Sequence, residues 1–171
     1  MAVLPILRAD DPILRRGARR VKVFDQSLRK LAGDMVDTMH AVEGVGLAAP
    51  QVGVSLRLAV VQLPSHYKNR MAGKLVVLCN PHLLRAWGEW RPEEGCLSFP
   101  GYAAFVARAS MVLVRAQDTD GRWFRLRGRG TMAQALQHEI DHLNGVLFFD
   151  YLASPDELIA VPPSDNGRDQ T

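Results

Sequence analysis

Apolar side chains recur at every third or fourth position in two stretches of the chain, and this spacing predicts two amphipathic helices. The first repeat consists of Leu28, Leu31, Met35, Val36 and Met39. Asp25 or Ser27 can cap the start of this helix, and Gly44 is expected to end it. The second repeat predicts a helix over residues 131–144, with Gly145 as its stop.

Runs of β-branched and other apolar residues separated by turn residues are typical of strands. They predict strands at residues 56–62, 75–79, 81–90 (with a break at Gly88), 111–117 and 123–127. Asp120-Gly121 separates the last two strands and is a strong hairpin signal. Residues 44–53 are rich in glycine and alanine and are interpreted as one extended, tightly packed stretch. The pattern as a whole predicts an α+β fold, with antiparallel strands packed around the second helix.

The chain has 171 residues, enough for one domain with a substantial core. We expect a single domain over residues 1–152 and a short, flexible tail over residues 153–171. No stretch approaches the length of a membrane span and no secretory signal is visible, so a membrane partner is not expected. The net charge of +3 is too small to indicate direct nucleic-acid binding. The locally dense arginines are interpreted as solvated surface residues.

Only two cysteines are present, Cys79 and Cys96. Cys79 ends an apolar strand pattern and is predicted to lie in the core. Because Cys96 is then unpaired, a disulfide scaffold is not expected. The pattern favours a reducing compartment.

The chemically most specific string is H-E-I-D-H at residues 138–142, inside the second predicted helix. His138 and His142 are four residues apart, so their imidazoles lie on one face of the helix and can bind one metal ion. Glu139 is adjacent to the first histidine and can reach a water molecule on that metal as a base. The string therefore indicates metal-assisted activation of water.

A third ligand has to come from another segment, and Cys96 in the E-G-C-L-S run at residues 94–98 is the preferred candidate. Three protein ligands leave one coordination position open for water, as in catalytic sites. A closed structural site would need a fourth ligand such as His66 or His82, neither of which has a motif around it. A thermolysin-like site would need a downstream glutamate, for which the candidates are Asp156 and Glu157, in a proline-flanked stretch with no helical pattern.

A third motif, G-V-G-L-A-A-P-Q, occupies residues 44–51, where small residues permit close approach of the backbone. With all three motifs in this order, residues 1–152 of the chain closely resemble the peptide deformylases. The resemblance implies a peptide deformylase-like α+β fold. It also implies a location in the bacterial cytoplasm or, after processing, in an organellar matrix. It also implies hydrolysis of a linear amide bond, namely removal of the formyl group from the formyl-methionine of new polypeptides.

The resemblance also implies a role for each matching residue. The metal ligands would be Cys96, His138 and His142, with water as the fourth ligand. Formate would be released by attack of the metal-bound water, with Glu139 as general base and then general acid. Gln51 and the backbone N–H of Leu97 would stabilise the oxyanion, and Gly46 would offer its backbone to the formyl group or the peptide.

The resemblance also implies a pocket for the methionine side chain on the histidine side of the helix, at Thr131, Gln134 and Ala135, together with Val45. Thr131 and Gln134 make this pocket more polar than is usual in the family. Many family members carry a peptide-positioning arginine soon after the E-G-C-L-S run, but residues 101–104 here are G-Y-A-A. The proline-containing, acidic tail does not indicate the basic, ribosome-docking helix of some members.

Three hypotheses follow from the sequence. The first is a deformylase acting on N-formyl-methionyl nascent peptides. The second is an H-E-x-x-H metalloprotease that cleaves internal peptide bonds, and the third is a non-catalytic, metal-stabilised binding module. The cofactor is expected to be one divalent metal ion. The resemblance favours Fe²⁺ in the cell, while Zn²⁺, Ni²⁺ and Co²⁺ suit the same donors.

Overall fold

The computed structural model describes residues 2–162, which form two α-helices and eight β-strands. The helices are α1 (Gln26–Ala41) and α2 (Thr131–Leu143). The strands are β1 (Gly46–Ala48), β2 (Leu58–Val61), β3 (Val76–Trp87), β4 (Glu93–Cys96), β5 (Phe99–Phe105), β6 (Met111–Gln117), β7 (Trp123–Arg129) and β8 (Ile159–Ala160). Within this part of the chain, no helix combines the length and apolar character that crossing a bilayer requires.

Five strands form an antiparallel sheet in the order β1-β2-β3-β6-β7. Helix α2 packs on one face of this sheet, where Val112 and Val114 meet Met132 and Leu136 in the main apolar cluster. The helix approaches β7 closely at Gly128, since an added Cβ there would lie 2.8 Å from Leu136 Cδ1. This layered arrangement confirms the α+β prediction with a central helix.

Helix α1 covers β1 and β2 through a second apolar cluster that includes Met35, Met39 and Cys79. Asp25 caps it by accepting a hydrogen bond from the N–H of Leu28, as the sequence predicted. The prediction that Cys79 belongs to the core is also confirmed, because its side chain is fully buried.

Two predicted strands, residues 75–79 and 81–90, are in fact the single strand β3. Pro81 interrupted the sequence pattern because proline cannot donate to a sheet ladder. In the structure it lies within an irregularity of the pairing between Cys79 and His82, where Asn80 has a positive φ of 50°. A bulge of this kind accommodates a proline without ending the strand.

The stretch over residues 44–53 is extended only in part. After β1 the chain turns into a 3₁₀ helix, Ala49–Val52. This turn buries the side chain of Gln51, which is 1% exposed. The prediction of one continuous extended segment was therefore wrong, because Pro50 begins a turn that the small residues around it conceal.

A second, three-stranded sheet in the order β4-β5-β8 carries the E-G-C-L-S run. Strands β4 and β5 were not predicted from the sequence, since Gly95, Pro100 and Gly101 weaken the alternation. The predicted tail includes a 3₁₀ helix, Pro155–Glu157, and strand β8, which pairs with β5 at Tyr102 and Ala103. The rest of the predicted flexible tail, residues 163–171, lies outside the described residues.

Candidate metal centre and its cleft

Three predicted ligands converge between α2 and the turn from β4 to β5. Cys96 Sγ lies 3.3 Å from His142 Nε2, and His142 Nε2 lies 3.1 Å from His138 Nε2. The ligand atoms of the three residues all lie within 4.8 Å of one another. Among residues 2–162 this is the one group of at least three His, Cys, Asp or Glu side chains that could hold a metal ion.

The spacing of these atoms fits a divalent metal ion. Metal–nitrogen and metal–sulfur bonds of about 2.0–2.3 Å in a tetrahedral arrangement place ligand atoms roughly 3.3–3.6 Å apart. The observed separations of 3.1 and 3.3 Å are close to that range. A thiolate with two imidazoles is also a donor set that suits transition metals. The candidate fourth ligands His66 and His82 do not belong to the group.

A buried ionic network holds the first histidine in place. His138 Nδ1 lies 2.6 Å from Glu94 Oε1, which orients the ring so that Nε2 faces the other ligands. Arg108 donates to both carboxylate oxygens of Glu94 and, through Nη1, to Asp141 at 2.6 Å. Tyr151 donates its hydroxyl to the same Asp141 oxygen at 2.9 Å. Glu94 is therefore held from two sides, by His138 and by Arg108.

The charges in this network stabilise one another. Burial opposes the ionised form of Glu94, but hydrogen bonds from Arg108 and His138 lower the pKa of its carboxyl to about 2. Both Glu94 and Arg108 side chains are 3% exposed. Without its partners Glu94 would be a buried, unpaired charge, which is energetically unfavourable. Arg108 therefore stabilises Glu94 directly, and it stabilises the position of His138 through Glu94.

Glu139 lies in the same cleft, and no hydrogen-bonding partner is present for its Oε2 among the described residues. The residue is 3% exposed, and burial raises the pKa of its carboxyl to about 7. A cation held by the three ligands would lower that pKa. An unpartnered carboxylate beside the ligands is placed to exchange protons with a water molecule or a substrate nitrogen.

Gly46 forms the wall opposite Glu139. A Cβ at this position would lie 2.9 Å from Glu139 Cδ and 3.0 Å from Cγ, and closer still to Oε1. Since real Cβ atoms do not approach other atoms this closely, the glutamate occupies space that only a glycine leaves free.

A hydrogen bond to its side-chain oxygen fixes the orientation of Gln51. Ala48 N–H donates to Gln51 Oε1 at 2.9 Å, so the amide nitrogen points the other way. That nitrogen lies 3.2 Å from Ser98 Oγ and 3.7 Å from Cys96 Sγ. A fixed amide donor beside a metal-ligand residue can donate a hydrogen bond to an oxygen that becomes negative during a reaction.

These groups line a cleft of about 640 Å³. The other predicted site residues also border it, namely Val45, Gly46, Leu97, Thr131, Gln134 and Ala135. Gln134 donates its amide to the backbone oxygen of Glu93 at 2.8 Å, so its polar end is bound to β4. The structure therefore brings together every predicted site residue.

Sequence reasoning missed the supporting network. Glu94 and Asp141 belong to two separate sequence motifs, and nothing in the spacing of these motifs indicates that the two carboxylates share one arginine. Arg108 lies ten residues after Ser98. The sequence marks Arg108 only as an isolated arginine in an otherwise uncharged stretch. Its side chain is 3% exposed and bound to two carboxylates, so it is not available to hold a peptide.

Known proteins resemble this chain closely. A family model described as polypeptide deformylase matches residues 3–157. Peptide deformylase of Thermomicrobium roseum is 45% identical over 166 residues, covering 96% of this chain and 94% of that protein. The crystal structure of a peptide deformylase from Legionella pneumophila has a TM-score of 0.84 at 47% identity, covering 91% and 89% of the two chains. The Ehrlichia chaffeensis enzyme in complex with actinonin has a TM-score of 0.86 at 38% identity, covering 92% of each.

Proposed function

The chain belongs to the polypeptide deformylase family, and from that premise we propose that it hydrolyses the formyl amide of N-formyl-methionyl nascent peptides. The products are formate and a free N-terminal amine. The observation that carries this proposal is the grouping of Cys96, His138 and His142 as one set of metal ligands, with Glu139 in the cleft that Cys96 and His138 also line.

The proposed metal ligands are Cys96, His138 and His142. When bound there, a divalent metal would polarise the formyl carbonyl and lower the pKa of a water molecule. Fe²⁺ is our proposal for the cell. Zn²⁺, Ni²⁺ and Co²⁺ suit the same two imidazoles and one thiolate. Both cysteines are free thiols, which suits the reducing cytoplasm that we propose as the compartment.

The protein's own groups handle the proton and the developing charge. Glu139 accepts a proton from the attacking water and later delivers it to the departing amine nitrogen. The amide N–H of Gln51 and the backbone N–H of Leu97 donate to the formyl oxygen as it becomes negative. One fixed donor at such a position lowers the activation barrier by about 3 kcal/mol. The backbone at Gly46 borders the formyl group and leaves it little lateral room.

The methionine side chain is proposed to enter between Val45 and the α2 residues Thr131, Gln134 and Ala135. Because the amide nitrogen of Gln134 is hydrogen-bonded to the Glu93 backbone oxygen in β4, this donor is engaged outside the pocket. The pocket is thus less polar than residue types alone suggest, which suits a thioether side chain.

The test is a comparison of three peptides that differ only at the N-terminus: formyl-Met, acetyl-Met and free Met. Enzyme purified without oxygen and analysed for metal should release formate from the first. The acetyl peptide should react far more slowly, because the wall at Gly46 leaves little room for a methyl group. Equal kcat/KM for the formyl and acetyl peptides would refute the proposed deformylase. Internal cleavage of the free peptide would favour the metalloprotease alternative.

A further inference from the structure

The outer face of the five-stranded sheet, away from α2, carries a set of arginines that the reaction does not use. In β6 and β7 the residues that point inward are apolar and pack against α2. The alternate residues point outward. We define the arginine face as Arg85, Arg115, Arg125, Arg127 and Arg129, all of which are exposed.

Strand register places these residues side by side. Arg85 pairs with Leu113, Arg127 pairs with Leu113 from the other side, and Arg115 pairs directly with Arg125. Cross-strand partners share a face, so the five guanidinium groups project in one direction. Along β7 they recur at every second residue, which spaces them by about 6.8 Å.

No acid balances this charge within the sheet. Strands β3, β6 and β7 contain no aspartate or glutamate. Among residues 2–162, none of the five arginines forms an ion pair. In the β6–β7 turn, Asp120 already forms ion pairs with Arg29 and Arg122. Directly opposed like charges destabilise a sheet, so the Arg115–Arg125 pair costs stability until an anion covers it.

Two tryptophans flank the arginines on the same face. Trp87 is 38% exposed and pairs with Met111, beside Arg129. Trp123 is 41% exposed, and the guanidinium of Arg115 lies 4.0 Å from its ring centroid. Planar guanidinium and indole surfaces on an open sheet are surfaces on which unpaired bases stack.

From this arrangement we propose that the arginine face binds single-stranded RNA. The arginines contact successive phosphates, and Trp87 provides a stacking surface for a base. A second copy of the chain does not suit this face, because an isologous contact would oppose the same five cations. The net charge of +3 does not reveal this surface, because it sums the charges on all faces of the molecule. The proposal rests on the sheet alone and not on the proposed function.

The test measures binding of a fluorescein-labelled oligouridylate by fluorescence anisotropy over a range of salt. For three to five phosphate contacts, log K should fall with log salt with a slope of roughly −2 to −3.5. The double variant R125E/R127E should bind at least tenfold more weakly. The matched control R16E/K74E makes the same change in net charge at exposed positions outside the arginine face. It should change affinity less than threefold, since charges farther than about 8 Å are screened at physiological salt.

Two further variants separate charge from stacking and from folding. R125K/R127K keeps the charge and should keep most of the affinity, while Trp87→Ala should weaken binding without changing the salt slope. Thermal unfolding of each preparation reports whether it is folded. Absence of wild-type binding at low salt, or an equal loss in the R16E/K74E control, would overturn the proposal. Equal competition by polyglutamate would overturn it too, because the surface would then fit an acidic protein.

Discussion

Replacing Gly46 by alanine tests the most demanding contact in the cleft. Gly46 has an ordinary negative φ, so alanine meets no backbone strain there. Its Cβ, however, would lie 2.9 Å from Glu139 Cδ. Carbon atoms pack at about 3.5–4.0 Å, so the carboxylate has to move by roughly 0.6–1 Å. A displacement of about 1 Å can cost 100-fold in rate, which is about 2.7 kcal/mol.

The expected result for Gly46→Ala is therefore a fall of about 100-fold in kcat/KM on a formyl-Met peptide, with metal content unchanged. Gly33→Ala is the matched control, because an added Cβ there has nothing within 4 Å. In the middle of α1 it should add about 0.5–1 kcal/mol of stability and leave turnover unaffected. Full activity of Gly46→Ala with a normal metal content would refute the argument that Glu139 needs this space.

Three further changes probe other parts of the site. Glu139→Gln should keep the metal and lose roughly 100- to 10,000-fold in turnover, as expected for a lost general base; near-wild-type turnover would contradict that role. Cys96→Ser should lose metal by elemental analysis, whereas Cys79→Ser should lower thermal stability with metal content intact. In native protein Cys79 should also resist alkylation, because burial raises the pKa of its thiol to about 12. Arg108→Met should destabilise the fold by about 3–5 kcal/mol in urea unfolding, since it leaves a buried carboxylate without its cation. The control Arg91→Met breaks an exposed pair with Glu157 and an exposed hydrogen bond to the Phe105 backbone oxygen, and should cost less than about 1 kcal/mol.

The site was largely predictable because its chemistry is concentrated in short segments. Two ligands and Glu139 lie within five residues of one helix, and helix geometry alone orients them. The network of Glu94, Arg108 and Asp141 was not predictable, since it depends on how β4 and β5 fold onto α2.

Among the strands, too, some features were predictable from the local sequence and others were not. The hairpin around residues 120–121 was predictable because its turn chemistry is local. The continuity of β3 through Pro81 was not, because a bulge depends on the partner strand. The arginine face likewise required strand register, which sequence alternation does not specify across strands that are distant along the chain.

The network that holds His138 has a consequence for how the enzyme acquires its metal. Glu94, Arg108 and α2 are held by hydrogen bonds and apolar packing that involve protein atoms alone. We therefore expect the cleft to be assembled before any ion arrives, unlike a zinc finger, whose chain folds only around its metal. Metal loading would then be a binding event on a finished scaffold, and the supply of metals would select the ion that a given molecule carries. A chelated sample should retain its circular dichroism spectrum and accept a different divalent ion without refolding.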